Sequence, residues 1–126
     1  MYTLQAEVIR QHPGDGVEFE PVKLTFRDAN GQIWKGRANH GELTTETGKV
    51  VLNGNVHVDG ILPGADQLTD LATEELFVDT HESIINTEEP VTVTSVGRSL
   101  KSRGMVATLK EKHLVLESNV RGSYTP

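Results

Sequence analysis

The stretch Val50-Val-Leu-Asn-Gly-Asn-Val-His-Val-Asp59 indicates the fold class more clearly than any other part of the chain. Its aliphatic residues alternate with polar ones and, together with a central glycine, define one face: Val50, Leu52, Gly54, Val56 and Val58. Alternation with a period of two is typical of a strand with one buried and one solvated face. The stretch therefore predicts a long, half-buried β-strand.

The same alternation recurs along the chain. It defines three further apolar faces: Val22, Leu24 and Phe26; Met105, Ala107 and Leu109; and Leu114, Leu116, Ser118, Val120, Gly122 and Tyr124. Segments rich in Gly, Pro, Asn and Asp predict turns at 13–16, 28–31, 47–48, 60–64 and 86–89. The weakly helical segment Ala65–Phe77 lacks a strong cap, and we interpret it as a loop followed by a strand. Since Val (14), Thr (13) and Ile (5) also favour pleated surfaces, the sequence predicts an all-β protein.

A weak internal repeat runs along the chain. Its four steps, which are 34, 35 and 29 residues apart, each end in valine: Glu20-Pro21-Val22, Gly54-Asn55-Val56, Glu89-Pro90-Val91 and Ser118-Asn119-Val120. Proline cannot donate to a strand ladder, so Pro21 and Pro90 predict bends, bulges or edge positions. Bent strands would fold over into a sandwich or an open groove around a shared Val/Leu core, and the first and last strands would keep unpaired edges.

The composition excludes several classes of protein. The chain has 126 residues, a net charge of −6 and no cysteine. It is therefore long enough for one domain, too acidic for a general nucleic-acid binder, and without disulfides or cysteine nucleophiles. No serine stands in a nucleophile-elbow context, no glycine-rich segment has the lysine of a phosphate loop, and the five histidines lack metal-ligand spacing. We expect no catalytic residue, no metal and no cofactor.

Charged and aromatic residues leave alternatives open. No Lys or Arg occurs between Lys49 and Arg98, a segment with nine acidic residues, and a basic run follows: Arg98, Lys101, Arg103, Lys110, Lys112 and Arg121. This distribution fits ordinary solvated faces, or a basic C-terminal third that faces an anionic ligand or partner. We expect Phe26 and Trp34 to pack in the core. Phe19 and Tyr124 fit either the core or the mouth of a groove.

Short segments along almost the whole chain match one protein family in order and spacing. They are Tyr2-Thr-Leu-Gln-Ala6, Glu20-Pro-Val-Lys-Leu-Thr-Phe26, Gly31-Gln-Ile-Trp34 with Ala38, Gly41-Glu-Leu43, Val51-Leu-Asn-Gly-Asn-Val-His-Val58, Leu71-Ala-Thr-Glu-Glu-Leu76, Glu88-Glu-Pro-Val91, Ser102-Arg-Gly-Met105 and His113-Leu-Val-Leu-Glu-Ser-Asn-Val-Arg-Gly-Ser-Tyr124. In these segments the chain resembles the periplasmic domain of LptC, the lipopolysaccharide export component, and the wider OstA-like group. The resemblance rests on the order of the segments rather than on any one of them.

The resemblance implies an open, twisted antiparallel β-jellyroll, in which two sheets form a V-shaped groove, as a single periplasmic domain at residues 1–126. It implies a non-enzymatic relay that receives lipopolysaccharide from an inner-membrane ABC transporter. The relay passes lipopolysaccharide to LptA, a periplasmic bridge protein of the same fold, for outer-membrane assembly. Family members are anchored in the inner membrane by an N-terminal helix; this sequence lacks such a helix, and we expect truncation to explain its absence.

The resemblance also implies where ligand and partners bind. Three positions match groove residues of the family, and the inward faces add weaker candidates: Phe19, Leu114 and Tyr124, with Val22, Leu24, Leu52, Val56, Val91, Val93, Leu116 and Val120. These side chains would hold the acyl chains of lipid A, since apolar burial contributes about 0.8 kcal/mol per methylene. The C-terminal edge, with Val120, Gly122 and Tyr124, would add to a strand of the bridge protein, and the N-terminal edge would face the transporter.

Other assemblies and functions remain open. Free strand edges would also allow a homodimer. An OstA-like soluble bridge that self-assembles end to end would form open-ended oligomers. A carbohydrate-binding or hydrolytic β-sandwich would show an exposed aromatic platform or a close carboxylate pair, and the six aromatic residues of the chain argue against it.

Overall fold

Antiparallel strands make up most of the protein. The computed structural model describes residues 2–11, 16–27, 30–44, 46–61, 68–111 and 113–124. Its strands are β1 (Tyr2–Gln11), β2 (Gly16–Arg27), β3 (Ile33–Ala38), β4 (His40–Thr44), β5 (Lys49–Gly60), β6 (Thr69–Asp79), β7 (Ile84–Ser95), β8 (Arg98–Thr108) and β9 (His113–Tyr124). The described ranges contain no helix, and hence none that could cross a bilayer. The all-β prediction is confirmed.

The strands form a meander. Hydrogen bonds join them in the order β1-β2-β3-β5-β6-β7-β8-β9, and β4 pairs with β2 and β5 alongside β3. β3 and β4 are two halves of one line, because both pair with β2 in an unbroken register that sets Val22 opposite Ala38 and Phe19 opposite Gly41. Strands that are close in sequence are therefore also neighbours in the sheet, as short hairpin connections favour.

A row of irregularities crosses the sheet at the middle of the strands. Register shifts interrupt the pairing between four successive pairs of strands, at Asn53/Val56, Ala72/Phe77, Thr87/Pro90 and Lys101/Arg103. Left-handed φ angles mark the same row at Gly54 (81°), Asn55 (52°), Gly104 (86°) and Asn119 (50°). A β-bulge bends its strand and increases the local twist. Bulges that are aligned across neighbouring strands therefore fold the sheet over along one line, which we call the bend line.

The two halves of the folded sheet face each other. Leu52 in the first half of β5 contacts Gly36 in β3, although β3 pairs with the second half of β5; a Cβ atom on Gly36 would lie 3.5 Å from Leu52 Cδ1. At the layer ends, Asn30 Nδ2 between β2 and β3 donates a hydrogen bond to Leu109 O between β8 and β9 (2.8 Å). The protein is thus a β-jellyroll with two layers, as the sequence predicts.

One apolar core lies between the layers. Its buried members come from both halves of the strands: Phe19, Val22, Leu24, Phe26, Trp34, Ala38, Leu43, Val50, Leu52, Val56, Val58, Leu71, Leu76, Val78, Ile85, Val91, Val93, Met105, Ala107 and Leu109. The predicted core positions of Phe26 and Trp34 are confirmed. Period-two alternation therefore identified the buried face correctly on most strands.

One predicted turn is wrong. Residues 86–89 lie inside β7, and the chain reverses instead at residues 80–83. Bulges and turns favour the same residue types, so Pro90 and its acidic neighbours resemble a turn in sequence but bend the strand without ending it. The bend predicted at Pro90 is confirmed, and the repeat steps at Asn55 and Asn119 also lie at bulges. At Pro21, by contrast, β2 shows no register shift against β1. No step of the repeat marks the bends of β6 and β8.

The remaining predicted turns separate strands. Residues 47–48 lie in the turn between β4 and β5. The turns predicted at 13–16, 28–31 and 60–64 fall partly outside the described residues, as does the start of the loop predicted at Ala65. The strand predicted after that loop is β6, which starts at Thr69.

Buried hydroxyl groups restore hydrogen bonds along the bend line. Thr73 Oγ1 donates to Pro90 O (2.9 Å), and Ser102 Oγ donates to Gly104 O (3.1 Å). No buried side-chain nitrogen or oxygen among the described residues is left without a partner. An unsatisfied buried carbonyl costs about 1–3 kcal/mol, so these short polar side chains stabilise the bend.

Replacing Thr73 by Val should destabilise the fold by about 1–3 kcal/mol, because Pro90 O would lose its donor while the side-chain volume stays the same. Urea denaturation would measure the change. Thr94→Val is the matched control, since Thr94 is an exposed residue of β7, and we expect a change within about 0.5 kcal/mol. Equal losses for the two variants would contradict a role of the Thr73 hydroxyl in the bend.

Alanine substitutions at Gly60 and Gly36 provide a second test of the packing, one as the control for the other. A Cβ atom on Gly60 would overlap the Trp34 ring, whereas one on Gly36 would make ordinary contacts of 3.5 Å with Leu52 Cδ1 and Val58 Cγ2. We expect Gly60→Ala to cost about 1–3 kcal/mol through overpacking, and Gly36→Ala to be neutral or stabilising. Thermal melts of both variants would test this, and a neutral Gly60→Ala would show that the ring has room to move.

Candidate functional site

The interior between the two layers is the candidate site, because most of the predicted groove residues converge there. Seven of them are at most 7% exposed: Phe19, Val22, Leu24, Leu52, Val56, Val91 and Val93. Leu114 and Leu116 are partly buried and pack against the same cluster. The fold thus brings residues from four strands, β2, β5, β7 and β9, into one apolar volume.

The other predicted residues lie at the end of β9. Val120 is 51% exposed. Tyr124 pairs with Arg98, and its side chain lies outside the described residues. Gly122, predicted at the C-terminal edge, pairs with Leu100, and a Cβ atom on it would lie 3.0 Å from Leu100 Cδ2. This end of β9 therefore continues the inner face beyond the closed core.

The core is filled by its own side chains in the center and becomes more open towards the edge strands. Leu52 and Val56 are fully buried, so a ligand can reach them only if the layers separate. Four of the five partly buried residues that pack against the core belong to β1 or β9: Leu4, Ala6, Leu114 and Leu116, the fifth being Val17 in β2. Within the described ranges, β1 and β9 each pair on one side only. The least enclosed parts of the interior therefore lie along these two strands.

Strand register reveals two inward-facing residues that were not among the predicted groove residues. Ile9 lies opposite buried Phe19, and Leu100 lies opposite buried Val93. Directly opposed residues on antiparallel strands share a face, so both side chains point to the inner side, yet Ile9 is 60% and Leu100 is 39% exposed. We call Ile9, Leu100 and Val120 the mouth residues. Local alternation predicts Val120 but does not single out Ile9 and Leu100, because the orientation of these two follows from the partner strand.

The outer face of β2 and β4 carries a group that could offer ligands to a metal ion. Ligand atoms of Glu18, His40 and Glu42 lie within 4.8 Å of one another. The His40 ring already contacts Glu20, with Nδ1 3.2 Å from Oε1, and Arg10 Nη1 lies 3.3 Å from the same oxygen. The Arg10 guanidinium therefore already compensates part of this acidic group. Sequence spacing did not reveal the group because its residues come from two strands, β2 and β4.

A pair of aspartates lies on the outer face of β5 and β6. Asp59 is directly opposite Asp70, and His57 Nδ1 lies 3.3 Å from Asp70 Oδ2. Partial burial raises the pKa of Asp59, and the hydrogen bond and negative charge of Asp70 raise it further, while Arg37 and His57 act in the opposite direction. This is a close carboxylate pair of the kind that a hydrolytic sandwich requires, but it lies on an outer strand face rather than in a cleft.

Two concavities open on the outside of the sheet. One, of about 390 Å³, lies beside the bend line and includes Lys23 and Arg37 in its wall. The other, of about 540 Å³, lies across β4 to β7 and includes the exposed Phe77. Neither is lined by Asp59 or Asp70. We refer to the first as the outer pocket.

Comparison with solved structures supports the fold. A crystal structure of LptH, the LptA homologous periplasmic component of the conserved lipopolysaccharide transport device from Pseudomonas aeruginosa, matches with a TM-score of 0.78. The alignment covers 100% of this chain and 96% of that chain at 11% sequence identity. A likeness at this identity establishes the shared architecture alone. Comparison with curated protein sequences gives no match.

A family-level comparison covers nearly the whole chain. Residues 1–125 match the family described as "Lipopolysaccharide-assembly, LptC-related". The match agrees with the family resemblance of the sequence segments and with the two-layered jellyroll seen in the structure. This chain therefore belongs to the LptC-related lipopolysaccharide-assembly family.

Proposed function

We propose that this protein is a non-enzymatic lipopolysaccharide relay that binds the acyl chains of lipid A between its two layers. Family membership supports a role in lipopolysaccharide transport. The observation that carries the finer proposal is the inner face itself, which runs from the fully buried core to the solvent-accessible mouth residues Ile9, Leu100 and Val120. Such a surface binds by apolar contact and needs no catalytic group.

Ligand entry requires the layers to part along the edge strands. Each acyl methylene that leaves water contributes about 0.8 kcal/mol to the binding free energy. Core side chains that lose contact with each other would contact the acyl chain rather than water. The exchange of one apolar neighbour for another keeps the cost of opening low. The bend line is the natural hinge, because its bulges already interrupt the ladder between successive strands. Phosphates and sugars would stay at the wet rim.

The two edge strands supply the partner surfaces in this proposal. β1 and β9 each have one unpaired side within the described residues, and an exposed edge can accept a strand from another protein through main-chain hydrogen bonds. β1 would face the inner-membrane ABC transporter, and β9 would face the periplasmic bridge protein LptA. Residues 1–126 would act as one periplasmic domain, held at the inner membrane by an N-terminal helix.

A second candidate is a soluble bridge that assembles end to end. It is supported by β1 and β9, which lie at opposite ends of the strand order and pair on one side only in the described part of the chain, and by the fold shared with LptH. Light scattering over a range of protein concentrations separates the two candidates. Oligomers that grow without limit favour the bridge, whereas a monomer or a closed dimer favours the relay.

Photo-crosslinking should detect lipid at the inner face. We expect a photoreactive residue at Ile9 or Leu116 to form adducts with lipopolysaccharide. Val115 is the matched control, because it neighbours Leu116 on β9 but lies on the opposite face of the strand and is exposed. Adducts would be resolved by gel electrophoresis and detected by immunoblotting. Equal labelling from Val115 and Leu116, or no labelling from any inward position, would contradict the proposed interior site.

Proline substitutions should separate edge binding from folding. Successive N–H groups of a strand point alternately to its two sides, so one of Arg121 and Gly122 directs its N–H to β8 and the other to the free edge. Of Arg121→Pro and Gly122→Pro, we expect one to lower the melting temperature. The other should mainly weaken capture of the bridge protein in a pull-down. If binding is lost only in proportion to folding in both variants, β9 is not the docking edge.

A further inference from the structure

The outer pocket borders the proposed lipid site, because the groove residue Val22 belongs to its lining, but its polar wall is made of exposed side chains. It opens on the outer face of β1, β2, β3 and β5 beside the bend line and has a volume of about 390 Å³, within the range of small-molecule sites. Its polar wall consists of Gln5, Glu7, Lys23, Arg37, Asn39 and Asn55. The pocket therefore combines two cations, one carboxylate and three amides, with no aromatic residue.

Strand register brings the two cations together. Gln5 lies opposite Lys23, and Lys23 lies opposite Arg37. Opposed residues share a face, so these three side chains form a transverse row across β1, β2 and β3. Two adjacent cations repel each other, and in a protein with a net charge of −6 their proximity favours an anion at this place.

The rim of the pocket contains an unusual backbone conformation. Gly54 and Asn55 both have left-handed φ angles, 81° and 52°. Asn39 N donates to Gly54 O (2.9 Å), which fixes this bulge against the start of β4. Such a conformation disfavours a side chain, yet position 55 carries an exposed asparagine that lines the pocket. A non-glycine residue held in this region is a reason to look for a function of its side chain.

We propose that the outer pocket binds a phosphorylated sugar. A guanidinium and an ammonium group can hold a phosphate, the former by two parallel hydrogen bonds. Amide side chains of Gln5, Asn39 and Asn55 both donate and accept hydrogen bonds, as sugar hydroxyls require, and the Glu7 carboxylate can accept from a hydroxyl. A bare phosphate would leave the amides unused, and a neutral sugar would make no use of the two cations, of which Asp59 compensates only Arg37.

Such a ligand has two possible sources, the headgroup of lipopolysaccharide or a free sugar phosphate. The first source rests on the proposed function, and the second does not. Both require the same chemistry from the pocket. Since the pocket lies outside the layers, a headgroup bound there would be held apart from acyl chains in the interior.

Titration of the ¹⁵N-labelled protein with glucose 1-phosphate, followed by NMR, tests the proposal. We expect saturable shifts at Lys23, Arg37 and Asn55, weaker binding of inorganic phosphate, and no binding of glucose. Lys23→Gln and Arg37→Gln should each weaken the affinity about tenfold. Lys35→Gln is the matched control, because this variant removes the same charge from the same face of β3. Lys35 is exposed but does not line the pocket.

Asn55→Gly distinguishes binding from folding. The variant removes the amide and relaxes the left-handed backbone, so the melting temperature should stay the same or rise while the affinity for glucose 1-phosphate falls. Absence of saturable shifts, an equal loss of affinity in Lys35→Gln, full affinity in Asn55→Gly, or equal affinity for inorganic phosphate would overturn the proposal.

Competition then identifies the source of the ligand. Displacement of glucose 1-phosphate by lipopolysaccharide, but not by a micelle of neutral detergent, assigns the pocket to the headgroup. A lack of displacement assigns it to a free sugar phosphate, and either result supports the pocket chemistry. Crosslinking from Ile9 to lipopolysaccharide in Arg37→Gln keeps the two proposals separate, because failure of the interior site would abolish that crosslink whether or not the pocket binds sugar.

Discussion

The bend line is the constraint on which the rest of the structure depends. Long strands can form two layers only if each bends near its middle, and a bend removes ladder hydrogen bonds that must be replaced. Left-handed residues such as Gly54 and Asn55 supply the geometry, and buried hydroxyls such as those of Thr73 and Ser102 supply the missing hydrogen bonds. Once the sheet is folded over, its two apolar half-faces meet and exclude water.

The same bend shapes both of the proposed binding surfaces, one on each side of the sheet. On the inside it creates a continuous apolar interior that is closed at the centre, around Leu52 and Val56, and accessible near Ile9 and Leu100. On the outside it leaves the outer pocket beside Asn55. One feature of the backbone therefore positions both the apolar surface proposed for acyl chains and the polar surface proposed for a charged sugar.

A transport role places few demands on individual side chains. Apolar contact is summed over many residues and requires no activated group, and every buried polar side-chain atom among the described residues already has a hydrogen-bond partner. The ionisable pairs that the structure does contain, such as Asp59 with Asp70, lie on outer faces. Partner recognition through strand edges likewise uses main-chain groups, which every sequence provides. This is consistent with a fold that is shared at 11% identity.

The sequence by itself determined most of the strands, their buried faces and the bend at Pro90, because alternation and proline chemistry are local properties. It identified Phe26 and Trp34 as core residues, and the order of its segments identified the family. It failed at 86–89, where the same residues suit a turn or a bulge. Only the tertiary structure decided which faces meet. The inward orientation of Ile9 and Leu100, and the meeting of Lys23 with Arg37, depend on register between strands that local periodicity does not encode.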